Sequence, residues 1–280
     1  MILRQKSLFR FFAFCAPILL SGCFEFGMST SELCEKHPSL CTGLNNNDGQ
    51  CRHQRTDLIW QRYDVMKEPT ALHKFDELML WQKYQKCIDL SAQIVTTKLK
   101  DRKRSRSEAL IHSHNEIERL ENELKRSSQP EVLFYFWGKG DQQAQQRFLE
   151  LEGTRVMETP RLQLALATYY THRDEKKTLR LLHHSLELYD GKKGKTRNHV
   201  IPEVIRSIAT SYNRLGDTLH AYLWTQIAAQ FKLGVAESRQ LSMMFPMDDE
   251  TREKLDNLAE DIADDIDDGE YKAIRLNVQQ

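Results

Sequence analysis

Glycine and proline are scarce, twelve and seven among 280 residues. That is too few for the turn-dense chains of β-sandwiches and barrels, and favours helices. A charge of one sign is also missing: 40 Lys plus Arg stand against 40 Asp plus Glu, which gives no general argument for nucleic acid. Catalytic signatures are absent too. The chain has no Gly-x-Ser-x-Gly elbow, no Ser-x-x-Lys, no His-Glu-x-x-His and no Gly-rich phosphate loop. Carboxylates are too many to nominate a pair for glycoside chemistry. No Cys-x-x-Cys is present, and only His37 and His53 lie near the cysteines, so a zinc site is not favoured. Neither a metal nor an organic cofactor is expected.

The long hydrophobic run of a membrane span is lacking as well. What is present is a short one. Arg4, Lys6 and Arg10 form a positive segment, and the apolar stretch from Phe11 to Leu20 is half the length that a bilayer requires. Small residues Ser21 and Gly22 follow, then Cys23. This is the layout of a secretory signal. Leu20-Ser21-Gly22-Cys23 resembles the lipobox of bacterial lipoproteins. The resemblance implies cleavage between Gly22 and Cys23, diacylation of the Cys23 thiol and acylation of the new amino terminus. Each buried acyl CH₂ contributes roughly 0.8 kcal/mol, so two or three chains make a firm anchor. Under the sorting rule of enterobacterial lipoproteins an aspartate after the cysteine marks the inner membrane. Phe24 stands there instead, which implies the outer membrane and a periplasm-facing body.

Cleavage would remove three bases, leaving 37 against 40 acids, a net of −3. It would also remove Cys15, so that Cys34, Cys41, Cys51 and Cys87 remain beside the lipidated Cys23. An even number in an oxidising compartment reads as two disulfides, with three connectivities open. Cys34–Cys41 with Cys51–Cys87 is preferred, because the second bond would staple an N-terminal loop onto the first long helix.

The order of segments follows from periodicity and breaks: a signal at 1–22, a cysteine-rich cap and tether at 23–50, long helices at 51–128, helical hairpins at 129–268 and a loose tail at 269–280. Leu72, Phe75, Met79, Trp81 and Tyr84, continuing through Cys87, Ile88, Ile94, Val95 and Leu99, describe one long amphipathic helix. Lys98, Lys100, Arg102, Lys103, Arg104 and Arg106 are opposed only by Asp101. They read as a solvated helix face, with an anionic lipid surface as the functional alternative. Leu110, Ile117 and Leu124 sit at heptad spacing, and His112 and His114 on that helix read as surface residues. Ser127-Ser128-Gln129-Pro130 breaks the pattern.

Beyond the break, Asp141, Asp174 and Asp217 occupy equivalent turn positions, 33 and then 43 residues apart. The additional ten fall in the basic loop Gly191-Lys192-Lys193-Gly194-Lys195. Thr159-Pro160 and Pro202 are helix starts, and Asp248 is an N-cap. His183-His184 reads as half-buried packing. Asp261, Asp264, Asp265, Asp267 and Asp268 read as a solvated face in a stretch, Pro246 to Gln280, that has twelve acids against four bases.

Ile205, Ile208, Ala209, Tyr212, Gly216, Ala221 and Ala228 resemble one tetratricopeptide repeat. Ala221-Tyr222-Leu223-Trp224 with Ile227-Ala228-Ala229 is similar to the Sel1-like variant. The resemblance implies an all-α fold in which hairpins stack as a short solenoid, preceded by long helices and a small disulfide-bonded cap. The lipobox, the Cys34/Cys41/Cys51 cap and the Gln54-Arg55-Thr56-Asp57-Leu58-Ile59 run together resemble an uncharacterised gammaproteobacterial lipoprotein family, defined by a domain of unknown function. No activity comes with it.

Two classes of function follow. The first is a non-catalytic interaction or scaffold protein, tethered to the membrane by its N-terminal lipid, with a protein or peptide in a groove beside Tyr169, Tyr170, His172 and Tyr212. The second is a cell-wall-acting envelope enzyme, for which the motifs are missing. Nucleic acid is not an expected partner.

Overall fold

The computed structural model describes residues 28–94, 100–191 and 200–273. The signal, Gly22, Cys23, Lys98, the basic loop at 192–195 and the expected tail beyond residue 273 lie outside the described residues. Twelve α-helices and no strand occur among the described residues.

Helix α1 (Thr30–Lys36) opens with a reciprocal cap. The Ser29 side chain accepts from the Glu32 N–H and Glu32 reaches back to the Ser29 N–H. A 3₁₀ turn (Pro38–Leu40) leads into a loop that ends at Cys51, and α2 (Arg52–Lys67) follows. Disulfides join Cys34 to Cys41 and Cys51 to Cys87. The second ties the start of α2 to the last turns of α3 (Ala71–Ala92). On α3, Phe75, Leu78, Trp81, Tyr84 and Ile88 form a fully buried stripe at three- and four-residue spacing. Each such side chain contributes about 1.5–3 kcal/mol of hydrophobic stabilisation. The expected helix to Leu99 is shorter. It ends at Ala92, and Ile94 is exposed rather than part of the stripe; Val95 and Leu99 fall outside the described residues.

Helix α4 (Lys100–Leu124) returns along α3. Two expectations about it are corrected by long-range contacts. Arg106 does not belong to a solvated basic face. Its Nε and Nη2 each lie 2.6 Å from Asp48 Oδ2, its Nη1 donates to the Ser91 carbonyl at 2.9 Å, and both side chains of the pair are only 4% exposed. Arg55, from the family-like run, donates to the carbonyls of Asn45 and Asp48, while the Asn45 N–H donates to the Tyr84 hydroxyl at 2.9 Å. The 45–48 loop is thereby fixed by α2, α3 and α4 together. His112 is not a surface residue either: its ring lies edge-on to Trp81 and packs against Gly43. Burial, with smaller contributions from Arg62 and Arg119, lowers its pKa against the opposing pull of Glu116.

From Pro130 the chain forms helix pairs: α5 (Pro130–Gly138) with α6 (Gln142–Leu149), α7 (Pro160–Tyr170) with α8 (Glu175–Glu187), and α9 (Ile201–Arg214) with α10 (Thr218–Gln230). Asp141, Asp174 and Asp217 cap the second helix of each pair, accepting the N–H of Ala144, Lys177 and His220 at 3.0, 2.9 and 3.1 Å. A short α11 (Ser238–Met244) and α12 (Asp249–Asp268) complete the order, α12 lying against α10. Thr159 and Asp248 cap α7 and α12.

Two hydrophobic cores result, and they meet at α7. Leu162, Ala165 and Leu166 join the core of α1–α6, whereas Leu164 and Ala167 join that of α8–α12. The helix therefore serves both, which a sequence break at 127–130 does not reveal. The expected loose tail is also corrected at its start. Tyr271 is 2% exposed and stacks on His183, and the Ala273 N–H donates to Glu187 at 3.1 Å.

Candidate functional site

The α7–α8 turn gathers three of the four residues expected in a groove. Pro160 and the Thr159 cap fix the start of α7, and its apolar run from Leu162 to Ala167 is clamped between both cores. The helix therefore ends at a defined place, with Tyr169 and Tyr170 on its last turn. Tyr169 meets Trp137 of α5 edge-on at 5.8 Å and Tyr170 at 5.0 Å. Arg173 holds its guanidinium 4.5 Å from the Tyr169 ring centre and donates to the Tyr169 carbonyl.

Tyr170 donates to Glu152 Oε2 at 2.6 Å, and Lys177 binds Glu152 Oε1 at 2.6 Å while lying over the Tyr170 ring at 3.7 Å. Burial pushes the Glu152 carboxyl up, but the hydrogen bonds from Lys177 and Tyr170 outweigh it and hold the group low. Burial, then the bond to Glu152, raises the Tyr170 phenol. His172 adopts a left-handed backbone (φ +66°), its N–H directed to Glu175. Arg214 from the end of α9 reaches both His172 Nδ1, at 3.2 Å, and Glu175, at 2.9 Å.

Beside Tyr169 is an open cleft of about 400 Å³, bounded by Gln142, Gln145, Gln146, Leu149 and Glu150 of α6. The glutamine amides offer both donors and acceptors, that of Gln146 already donating to Glu150 at 3.2 Å, and Tyr169 offers an aromatic face. Glu150 is the one carboxylate in this lining, with neither a histidine nor a nucleophile beside it.

Tyr212 is not part of it. Its ring stacks on His220 at 4.7 Å and its hydroxyl lies 3.2 Å from His183 Nε2. On the other side of that imidazole, the Tyr271 hydroxyl lies 2.7 Å from Nδ1. Burial drives the His183 pKa down to about 4 and that of Tyr212 up to about 12. A neutral imidazole with one N–H and one lone pair satisfies both phenols at once. Sequence reasoning foresaw packing at His183 but not this Tyr–His–Tyr chain, since its partners are 29 and 88 residues away.

Glu77 was also missed. It is buried against Trp81 Nε1 at 3.1 Å, with Arg62 and Arg119 at 3.9 and 3.8 Å, and burial raises its pKa. No signal in the sequence separates it from the other 39 acids. Among the described residues no group of His, Cys, Asp or Glu is placed to hold a metal ion, and no helix is long and apolar enough to cross a membrane. Asp261, Asp264, Asp265, Asp267 and Asp268 are spread along α12.

Neither a curated protein nor a solved structure matches the chain. A family model does match, over residues 20–226, from the Leu-Ser-Gly-Cys stretch through the cap and α1–α9 into α10. That is well over half of the sequence, and the chain belongs to the family described as protein of unknown function (DUF2989).

Proposed function

We propose that the chain is an envelope lipoprotein, acylated at Cys23 and held at the outer membrane, whose helical body is a non-catalytic module that binds a protein partner through an extended segment. The helix pairs form a short tetratricopeptide- or Sel1-like stack on this reading. The observation that carries the binding role is the cleft between α6 and Tyr169. It combines an aromatic face, a glutamine row and an apolar patch at Leu149, a lining suited to main-chain hydrogen bonding with modest side-chain selection. Fixed caps at Asp141 and Thr159 start the two helices, α6 and α7, that supply its lining, so a partner would meet a preorganised surface and lose less to ordering.

The test is photo-crosslinking in cells that express the intact chain, with a photoreactive residue at Tyr169 or Gln145 and, as control, at exposed Val156. A discrete protein adduct from the two cleft positions, absent from the control, supports the reading. Equal labelling at all three positions, or none, removes it.

A further inference from the structure

The basic run that precedes Arg106 gains a meaning once Arg106 is accounted for. With Arg106 bound to Asp48 and to the Ser91 carbonyl, α4 is fixed in register against the end of α3. Arg102 and Lys103 lie one turn before Arg106, and Ile94 lies one turn after Ser91, so they share one end of the helix pair. Leu90 on the last turn of α3 and Ile94 just beyond the helix end are 63% and 45% exposed. Lys86 precedes them by one further turn and is exposed. The Cys51–Cys87 bond brings exposed Arg52 and His53, at the start of α2, to the same end. Arg104 is shared between Asp101 and Glu108, at 3.8 Å each, and Asp89 is the acid on α3 nearest Leu90 in sequence. At this end the exposed apolar pair thus shares the surface with four exposed bases, Lys86, Arg52, Arg102 and Lys103, and with Asp89.

We infer that this end is a docking surface for an anionic phospholipid bilayer, with Leu90 and Ile94 entering the headgroup region and the cations contacting phosphate. Charge complementarity selects the occupant: an exposed apolar pair at an end where bases outnumber acids fits an interface that is anionic outside and apolar beneath. Only the orientation in the cell rests on the anchor proposed above. Met28 is five residues from Cys23, a reach of at most about 17 Å. The Trp60 Nε1–Thr30 Oγ1 bond of 3.0 Å holds the start of α1 on α2, within about 12 Å of Arg52 along the helix axis. An acyl anchor at Cys23 and this surface can therefore meet one membrane.

The experiment uses the chain from residue 24, which keeps every described residue and lacks the acylation site. Sedimentation with vesicles of equal phosphatidylglycerol and phosphatidylcholine is compared with phosphatidylcholine alone, at low and high salt. Each cation near such a surface is worth about fivefold in partitioning, so R102E/K103E should weaken anionic-vesicle binding by tenfold or more. L90S/I94S should weaken it severalfold at both salt concentrations. The control K176E/R180E, with the same charge change on exposed positions of α8, should bind as the parent does. Circular dichroism and melting should be unchanged in all three, since every altered side chain is exposed. No binding to anionic vesicles, equal binding to neutral ones, loss in the control matching that of R102E/K103E, or binding to a soluble polyanion but not to vesicles would each overturn the proposal. None of those results bears on crosslinking from the cleft, which tests the partner reading separately.

Discussion

Acidification should destabilise this protein through His183, by an amount that the structure lets us work out. The imidazole is buried between Tyr271 and Tyr212 and beside Trp224, and its pKa falls from 6.5 to about 4. In the unfolded chain the group takes up a proton near its ordinary value, whereas the folded protein resists until far lower pH. The unfolded state therefore binds more protons between about pH 6.5 and 4, and stability must rise with pH across that window. The contribution is complete above the unfolded value and is lost as pH falls through the window. A depression of this size corresponds to on the order of 3 kcal/mol. The assay is urea unfolding at intervals from pH 7.5 to 4, for the wild type and for His183→Gln, which keeps a polar group without the titration. Other carboxylates titrate in both proteins and cancel in the difference. The stability gap should favour the wild type at neutral pH and shrink by about 3 kcal/mol towards pH 4. A gap that stays constant with pH would refute the buried, neutral imidazole, whatever its absolute size.

Further expectations concern the cap. Asp48→Ala leaves the Arg106 guanidinium buried without its carboxylate and should cost about 3–5 kcal/mol in chemical denaturation; a loss below 1 kcal/mol would mean that the pair is solvated. Gly43→Ala should destabilise by about 1–3 kcal/mol, because the added Cβ would stand 2.2 Å from the His112 ring on a backbone at φ +78°. Adding His112→Ala should recover part of that loss, and no recovery would place the clash elsewhere. Cys51→Ser/Cys87→Ser opens a crosslink across 36 residues and should lower stability by about 4 kcal/mol on the loop-entropy account, read as a shift in the urea midpoint.

The parts of this fold that rest on local chemistry were legible in the chain. Thr159 and Asp248 act as caps because a short side-chain oxygen before a helix meets a free N–H three residues later, a rule confined to a few neighbours, and Asp141, Asp174 and Asp217, read as turn positions, cap their helices in the same way. What escaped was set by partners remote in sequence. Arg106 looks like its neighbours in the basic run until Asp48, 58 residues away, is seen beside it. His112 gave no sign of the Gly43 contact, and Tyr271 lay in a stretch whose composition suggested a loose end. The groove was legible only in part. Tyr169, Tyr170 and His172 share one turn because they are adjacent in the chain. Tyr212 was placed with them by repeat position, yet its ring is engaged by His183 and His220. The α6 glutamines were passed over because polar residues on a short helix look like ordinary surface.

The most direct test of the account is the intact mass of the protein extracted from membranes of its native cells, alkylated with and without prior reduction. The account predicts a chain beginning at Cys23 that carries acyl groups, with four thiols, those of Cys34, Cys41, Cys51 and Cys87, alkylated only after reduction. An unacylated chain, or cysteines alkylated without reduction, would contradict both the anchor and the compartment on which the proposed function depends.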